Sequence, residues 1–211
     1  MSLPQDHRKA PLELWRAAGA LLRTLFNLFG APEELAARHT ITGPTYRLIL
    51  NWLHCAEALM RHLLFIEASA HPRGAASSAK RAHAQRQSRE MSFEADKPEE
   101  WRVSFRLCAD DRRLPAGKRL STLTAPRRPQ SLAPTTFHSA WPLAERFEAL
   151  LRVHNDPAPF ARRLARRLHA APRIIATLLN APAQLAPRIG EEIFATLRVF
   201  CGQTKPVFDS S

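Results

Sequence analysis

The residues best suited to chemistry in this chain are basic, and their densest run is Pro159 to His169, PFARRLARRLH. Wound as a helix at about 100° per residue, it sets Phe160, Ala161, Leu164, Ala165 and Leu168 on one side and Arg162, Arg163, Arg166 and Arg167 on the other. No Asp or Glu occurs from Pro157 to Gly190. Like charges at i, i+4 repel when nothing answers them. What a row of guanidinium groups offers is ion pairing and bidentate hydrogen bonding to phosphate or carboxylate. Such a helix could lay its Arg face on nucleic-acid phosphates or sink its apolar face into an anionic bilayer surface. The same pattern also suits the solvated face of an ordinary bundle helix.

Catalytic constellations are sparse by comparison. His54, Glu57, Arg61 and His62 fall close together on another helical stretch, and His54 with Glu57 at i, i+3 could begin a metal site. A site of that kind needs ligands from a second element, and no matching cluster occurs. Glu57 and Arg61 read instead as an i, i+4 ion pair. Cys55, Cys108 and Cys201 are odd in number and far apart, which suits neither a zinc site nor a disulfide framework and fits a reducing cytoplasm. Gly117 and Lys118 lack the first glycine of a phosphate loop. The expectation is a protein that is not an enzyme and needs no metal or cofactor.

A third chemistry is strand pairing. Trp101, Val103, Phe105 and Leu107 alternate with Arg102, Ser104 and Arg106, the period-two pattern of a half-buried strand. A lone strand must find a mate. Arg119 to Thr124, a second copy of the chain, or the sheet edge of a protein partner would each serve. Otherwise the segment lays Trp101 and Phe105 on neighbouring helices.

The elements that must position these residues are mainly α. The 211 residues contain 17 Pro and only 7 Gly, a balance that favours short helices opened by proline over a glycine-turned β-fold. Residues 1–10 read as a polar lead and 11–68 as a helical module. Within it Pro11 to Phe29 is amphipathic, Pro32 to Arg38 is a short helix with Glu33 and Glu34 in its first turn, and Pro44 to Glu67 is a long core helix. That long helix has a broad apolar side and a wet face of Arg47, Asn51, His54, Glu57, Arg61 and His62. Residues 69–100 have linker character and 101–139 form a Pro- and Arg-rich segment containing the strand. A Pro-segmented helical region follows over 140–200, with helices opened at Pro142, Pro157, Pro172 and Pro187, and 201–211 is a tail.

Within the module, Leu35 to Ile49, LAARHTITGPTYRLI, resembles the helix-turn-helix pattern of bacterial repressors. Ala36 stands where a small residue lets the helices cross, Ile41 where the turn plugs the core, and Thr42 where the second helix is capped. The resemblance implies DNA reading, with Arg47 and Asn51 facing outward as readers of guanine and adenine edges.

The net charge of +12 and a pI near 11.0 add a global attraction to phosphate-rich polymers, anionic lipid or acidic proteins, unless the arginine bias is compositional. No apolar run reaches the ~20 residues of a spanning helix. The expected function is therefore non-catalytic binding of an anionic partner, nucleic acid or an anionic membrane surface, through Arg162, Arg163, Arg166 and Arg167. The rivals are a protein adaptor or homo-oligomer docking through its apolar helices and residues 101–107, and the helix-turn-helix reader.

Overall fold

A computed structural model describes residues 9–71, 97–107 and 136–209. The fold is mainly α with one small antiparallel sheet. Most of the polar lead and of the 69–100 linker, Cys108, Gly117, Lys118 and the proposed strand mate Arg119 to Thr124 lie outside the described residues.

Helix α1, Leu12–Phe29, buries Leu14, Trp15, Ala18, Leu21, Leu22, Leu25 and Phe29, the stripe its periodicity predicts. It stops at Gly30, whose φ of 81° suits glycine and whose N–H donates to the Phe26 carbonyl at 2.9 Å. Helix α2, Pro32–Ala37, follows with Glu33 and Glu34 in its first turn. His39, at φ 53°, then swings the chain into strand β1, Thr40–Thr42. Its partner is β2, Phe137–Ser139, paired antiparallel with Ile41 opposite His138.

Helix α3, Gly43–Ala68, is the centre of the molecule and touches α1, α4 (Trp141–Asn155), α5 (Ala158–Ala170), α7 (Leu185–Ile189) and α8 (Glu191–Asp209). Its first half keeps the expected wet face, with Arg47, Asn51 and His54 exposed. Its second half does not. From Ala58 onward nearly every position is buried, including His62 and Glu67, because neighbours cover this end from several directions. Leu48, assigned to the apolar side by the helical wheel, is 51% exposed because it lies in the half that neighbours cover less.

The two buried polar side chains there are satisfied inside the fold, as burial requires. The Glu67 carboxylate accepts hydrogen bonds from the backbone N–H of Lys9 at 3.0 Å and of Ala10 at 3.3 Å, and from the Trp15 indole at 3.1 Å. It thereby ties the start of α1 to the end of α3. His62 donates from Nδ1 to the Ala58 carbonyl at 2.7 Å.

The C-terminal region departs from the predicted segmentation in three places. Asp156, a candidate N-cap by residue type just before Pro157, does not cap α5, which begins two residues later after Pro157. The stretch after Pro172 is a 3-10 turn leading into the short α6, Ile175–Leu178. The helix expected from Arg188 to Phe200 is broken at Gly190, where φ is 92°. Beyond that break α8 runs to Asp209, through Pro206 and most of the predicted tail. The proline removes an N–H that would have met the carbonyl of Gly202, which sits at an exposed position. The N-terminal helices and the C-terminal region share a single buried core.

Candidate anion-binding face

Helix α5 is held by its apolar side. Ala161, Leu164, Ala165 and Leu168 are all buried, and the helix lies against α3. Phe160 meets Phe105 edge-on at 6.4 Å, and His169 stacks on Phe208 of α8 at 5.0 Å while its Nε2 lies 3.2 Å from the His71 carbonyl. The apolar face that a bilayer would need is therefore used up by the protein's own core. What remains outward is the opposite side, where Arg162, Arg163 and Arg166 are exposed and Arg167 is half-buried. Arg162 reaches back to the Ala158 carbonyl at 3.4 Å, a weak contact within its own helix.

Four other arginines of the fold are employed differently. Arg146 on α4 makes a bidentate pair with Glu57 on α3, Nε to Oε1 at 2.6 Å and Nη2 to Oε2 at 2.8 Å. Arg61 stands 4.0 Å from the same carboxylate. Arg152 pairs with Glu148 at 2.7 Å and donates to the Pro98 carbonyl at 2.6 Å. Arg188 on α7 lies over the Trp52 ring at 4.1 Å and donates to the Asn51 carbonyl at 2.7 Å and the Cys55 sulfur at 3.1 Å. These contacts fasten α4, α7 and the 97–101 segment to the centre. Sequence reasoning paired Glu57 with Arg61 but missed Arg146, because the partner lies 89 residues away on another helix.

The segment Trp101 to Leu107 keeps its alternation but is not a strand. Trp101, Phe105 and Leu107 are buried and Val103 is partly buried, whereas Arg102, Ser104 and Arg106 are exposed. Trp101 packs on Trp141 of α4 at 4.7 Å and Phe105 on Phe160 of α5, so the segment lays its two aromatics on neighbouring helices, the alternative its pattern allowed.

The helix-turn-helix stretch also departs from its pattern. Thr40–Thr42, expected as the turn, is strand β1, and α2 packs chiefly on α4. Ala36 and Ile41 are buried as that pattern asks, but Thr42 makes no capping bond to the backbone and its hydroxyl instead lies 3.0 Å from that of Thr45. Arg47 and Asn51 are both exposed, with Arg188 bound to the main chain beside them.

Four His and Cys side chains are shifted by their surroundings. Burial pushes the His62 imidazole below its ordinary range, and its backbone contacts to Ala58 and Leu179 offset only part of that. His54 is also lowered, first by desolvation and then by Arg146. Burial raises the Cys55 thiol against the opposing pull of Arg188, and raises the Cys201 thiol to about 12. Neither thiol has the depressed pKa of a nucleophile. Among the described residues, no group of three or more His, Cys, Asp and Glu side chains could hold a metal ion, and no helix is long and apolar enough to cross a membrane. Comparison with protein-family models, curated proteins and solved structures finds no match.

Proposed function

We propose that this chain is a non-catalytic binding protein whose α5 arginines engage an anionic polymer, with α3 and the helices around it as the scaffold. The observation that carries this reading is the asymmetry of α5. One face is committed to the core, while the other presents Arg162, Arg163 and Arg166 to solvent in a stretch with no acidic residue from Pro157 to Gly190. Like charges held together at i, i+4 favour an external anion that relieves their repulsion. Because the apolar face is internal, the contact is electrostatic and follows the rules of phosphate binding rather than of bilayer insertion.

The test is retention on phosphocellulose under a salt gradient. The folded Arg162→Gln, Arg163→Gln, Arg166→Gln variant should elute at distinctly lower salt than the wild type, and by more than a control triple of other exposed basic residues, Arg16→Gln, Arg23→Gln and Arg198→Gln. Equal elution of the two triples would leave only non-specific basicity.

A further inference from the structure

Helix α8 is packed on one side only. Leu197, Cys201, Thr204 and Phe208 are buried where it meets α1, α3 and α7. The opposite side is open. At about 100° per residue Glu192, Ala195, Gly202 and Pro206 all lie within about 60° of Val199, and all five are exposed, Val199 at 56%. Gly and Pro are the residue types that suit a helix interior least, yet both stand on this open side. Among the described residues nothing lies within 4 Å of where a Cβ on Gly202 would sit, so the surrounding fold supplies no steric reason for a glycine. A bare backbone there suits the close approach of another helix.

The charges beside that face select the occupant. Glu191, Arg198 and Lys205, spaced by seven, run down one flank, acidic at the N-terminal end and basic at the C-terminal end, and all three are exposed. Neither they nor Glu192 have an ion-pair partner among the described residues. We propose that α8 pairs antiparallel with the α8 of a second copy of this chain, forming a reversible homodimer. A two-fold axis level with Arg198 keeps the same flanks adjacent, so Glu191 of each copy stands beside Lys205 of the other, and the helix dipoles oppose favourably. A parallel copy would set like on like. In the antiparallel register Val199 meets Val199 at the axis and Gly202 faces Ala195, small enough for the helix axes to approach to about 8 Å. Arg198 meets its own copy at the axis, a repulsion that limits affinity. The 19-residue helix is only about 28 Å long, so the contact falls short of the ~800 Å² per partner of a standard interface and the dimer dissociates readily. This surface is independent of the arginines on α5.

The experiment is sedimentation velocity of the nuclease-treated full chain, over a series of concentrations up to about 1 mM, with each variant checked for native circular dichroism. The wild type should shift from monomer to dimer as concentration rises. Val199→Lys places like charges on the axis and should leave monomer alone. Lys205→Glu replaces two ion pairs by two Glu–Glu contacts and should weaken the dimer about tenfold. Glu191→Lys combined with Lys205→Glu exchanges the charges, and should recover the wild-type affinity to within about threefold. All these positions are exposed, so the fold should tolerate each change. A wild type that stays monomeric throughout, a dimer indifferent to Val199→Lys, or a charge exchange that fails to recover what Lys205→Glu loses overturns the proposal. None of these outcomes bears on anion binding by α5, whose arginines are unchanged in every variant.

Discussion

Helices α4 and α5 follow each other in the chain, both pack on α3, and both carry arginines, yet the arginines meet opposite fates. On α4, Arg146 and Arg152 are answered by Glu57 and Glu148 at 2.6 and 2.7 Å, and they hold α4 to α3 and to residue 98. On α5, Arg162, Arg163 and Arg166 face solvent, and the nearest acidic residue earlier in sequence is Asp156, before the helix begins. The difference teaches that arginine content alone does not separate structural from binding roles. A carboxylate within reach does, as Glu57 and Glu148 are for the α4 arginines.

Four variants sharpen or break that contrast, in falling order of their effect on stability. Leu164→Ala deletes a fully buried side chain from the inner face of α5 and should cost about 2 to 5 kcal/mol in chemical denaturation. A loss below about 1 kcal/mol would mean that this face is not part of the core, and would reopen bilayer insertion. Arg146→Ala leaves the Glu57 carboxylate, 14% exposed, without its bidentate partner and should cost about 1 to 3 kcal/mol. If it costs no more than an exposed α5 arginine, the contrast between the two helices fails.

His62 supplies the next test, through pH. Its folded-state pKa lies below that of the unfolded chain because of burial, so between the two values the unfolded state binds more protons. Its contribution to stability is full above the unfolded value near 6.5 and declines as pH falls below it. His54 adds a slope of the same sign. Urea midpoints of His62→Gln measured from pH 7.5 to 5 should therefore fall less steeply than those of the wild type, and parallel curves would refute this role for the histidine. Smallest of all, the Arg162→Gln, Arg163→Gln, Arg166→Gln variant should change stability by no more than about 0.5 kcal/mol per site, since these side chains lie on an exposed face. A large destabilisation would show that the α5 arginines are structural after all.

Much of this frame was legible in the sequence for a physical reason. The stripes of α1 and α5 repeat at the helical period, and one-sided burial is what that period encodes. The alternation of residues 101–107 was equally legible, yet alternation says only that one side is buried and not whether a strand or a helix layer buries it. Helix α3 shows the limit from the other side. Its wet face is correct as far as His54 and fails at His62, because a helix at the centre of a bundle is enclosed by elements more than a hundred positions away in sequence. Arg188, reaching Asn51 and Cys55 across more than 130 residues, and Glu67, gathering the start of α1, belong to the same class of long-range contact. The small sheet escaped for a related reason, since three-residue strands pairing Thr40–Thr42 with Phe137–Ser139 are too short to carry a pattern.

The most direct measurement of the central claim is the salt dependence of binding to a mixed-sequence duplex, wild type against the Arg162→Gln, Arg163→Gln, Arg166→Gln variant. The open face of α5 predicts a log–log slope shallower in magnitude by about 3 in the variant, with circular dichroism unchanged and stability altered by no more than about 0.5 kcal/mol per site. Identical slopes for two equally folded proteins would contradict it.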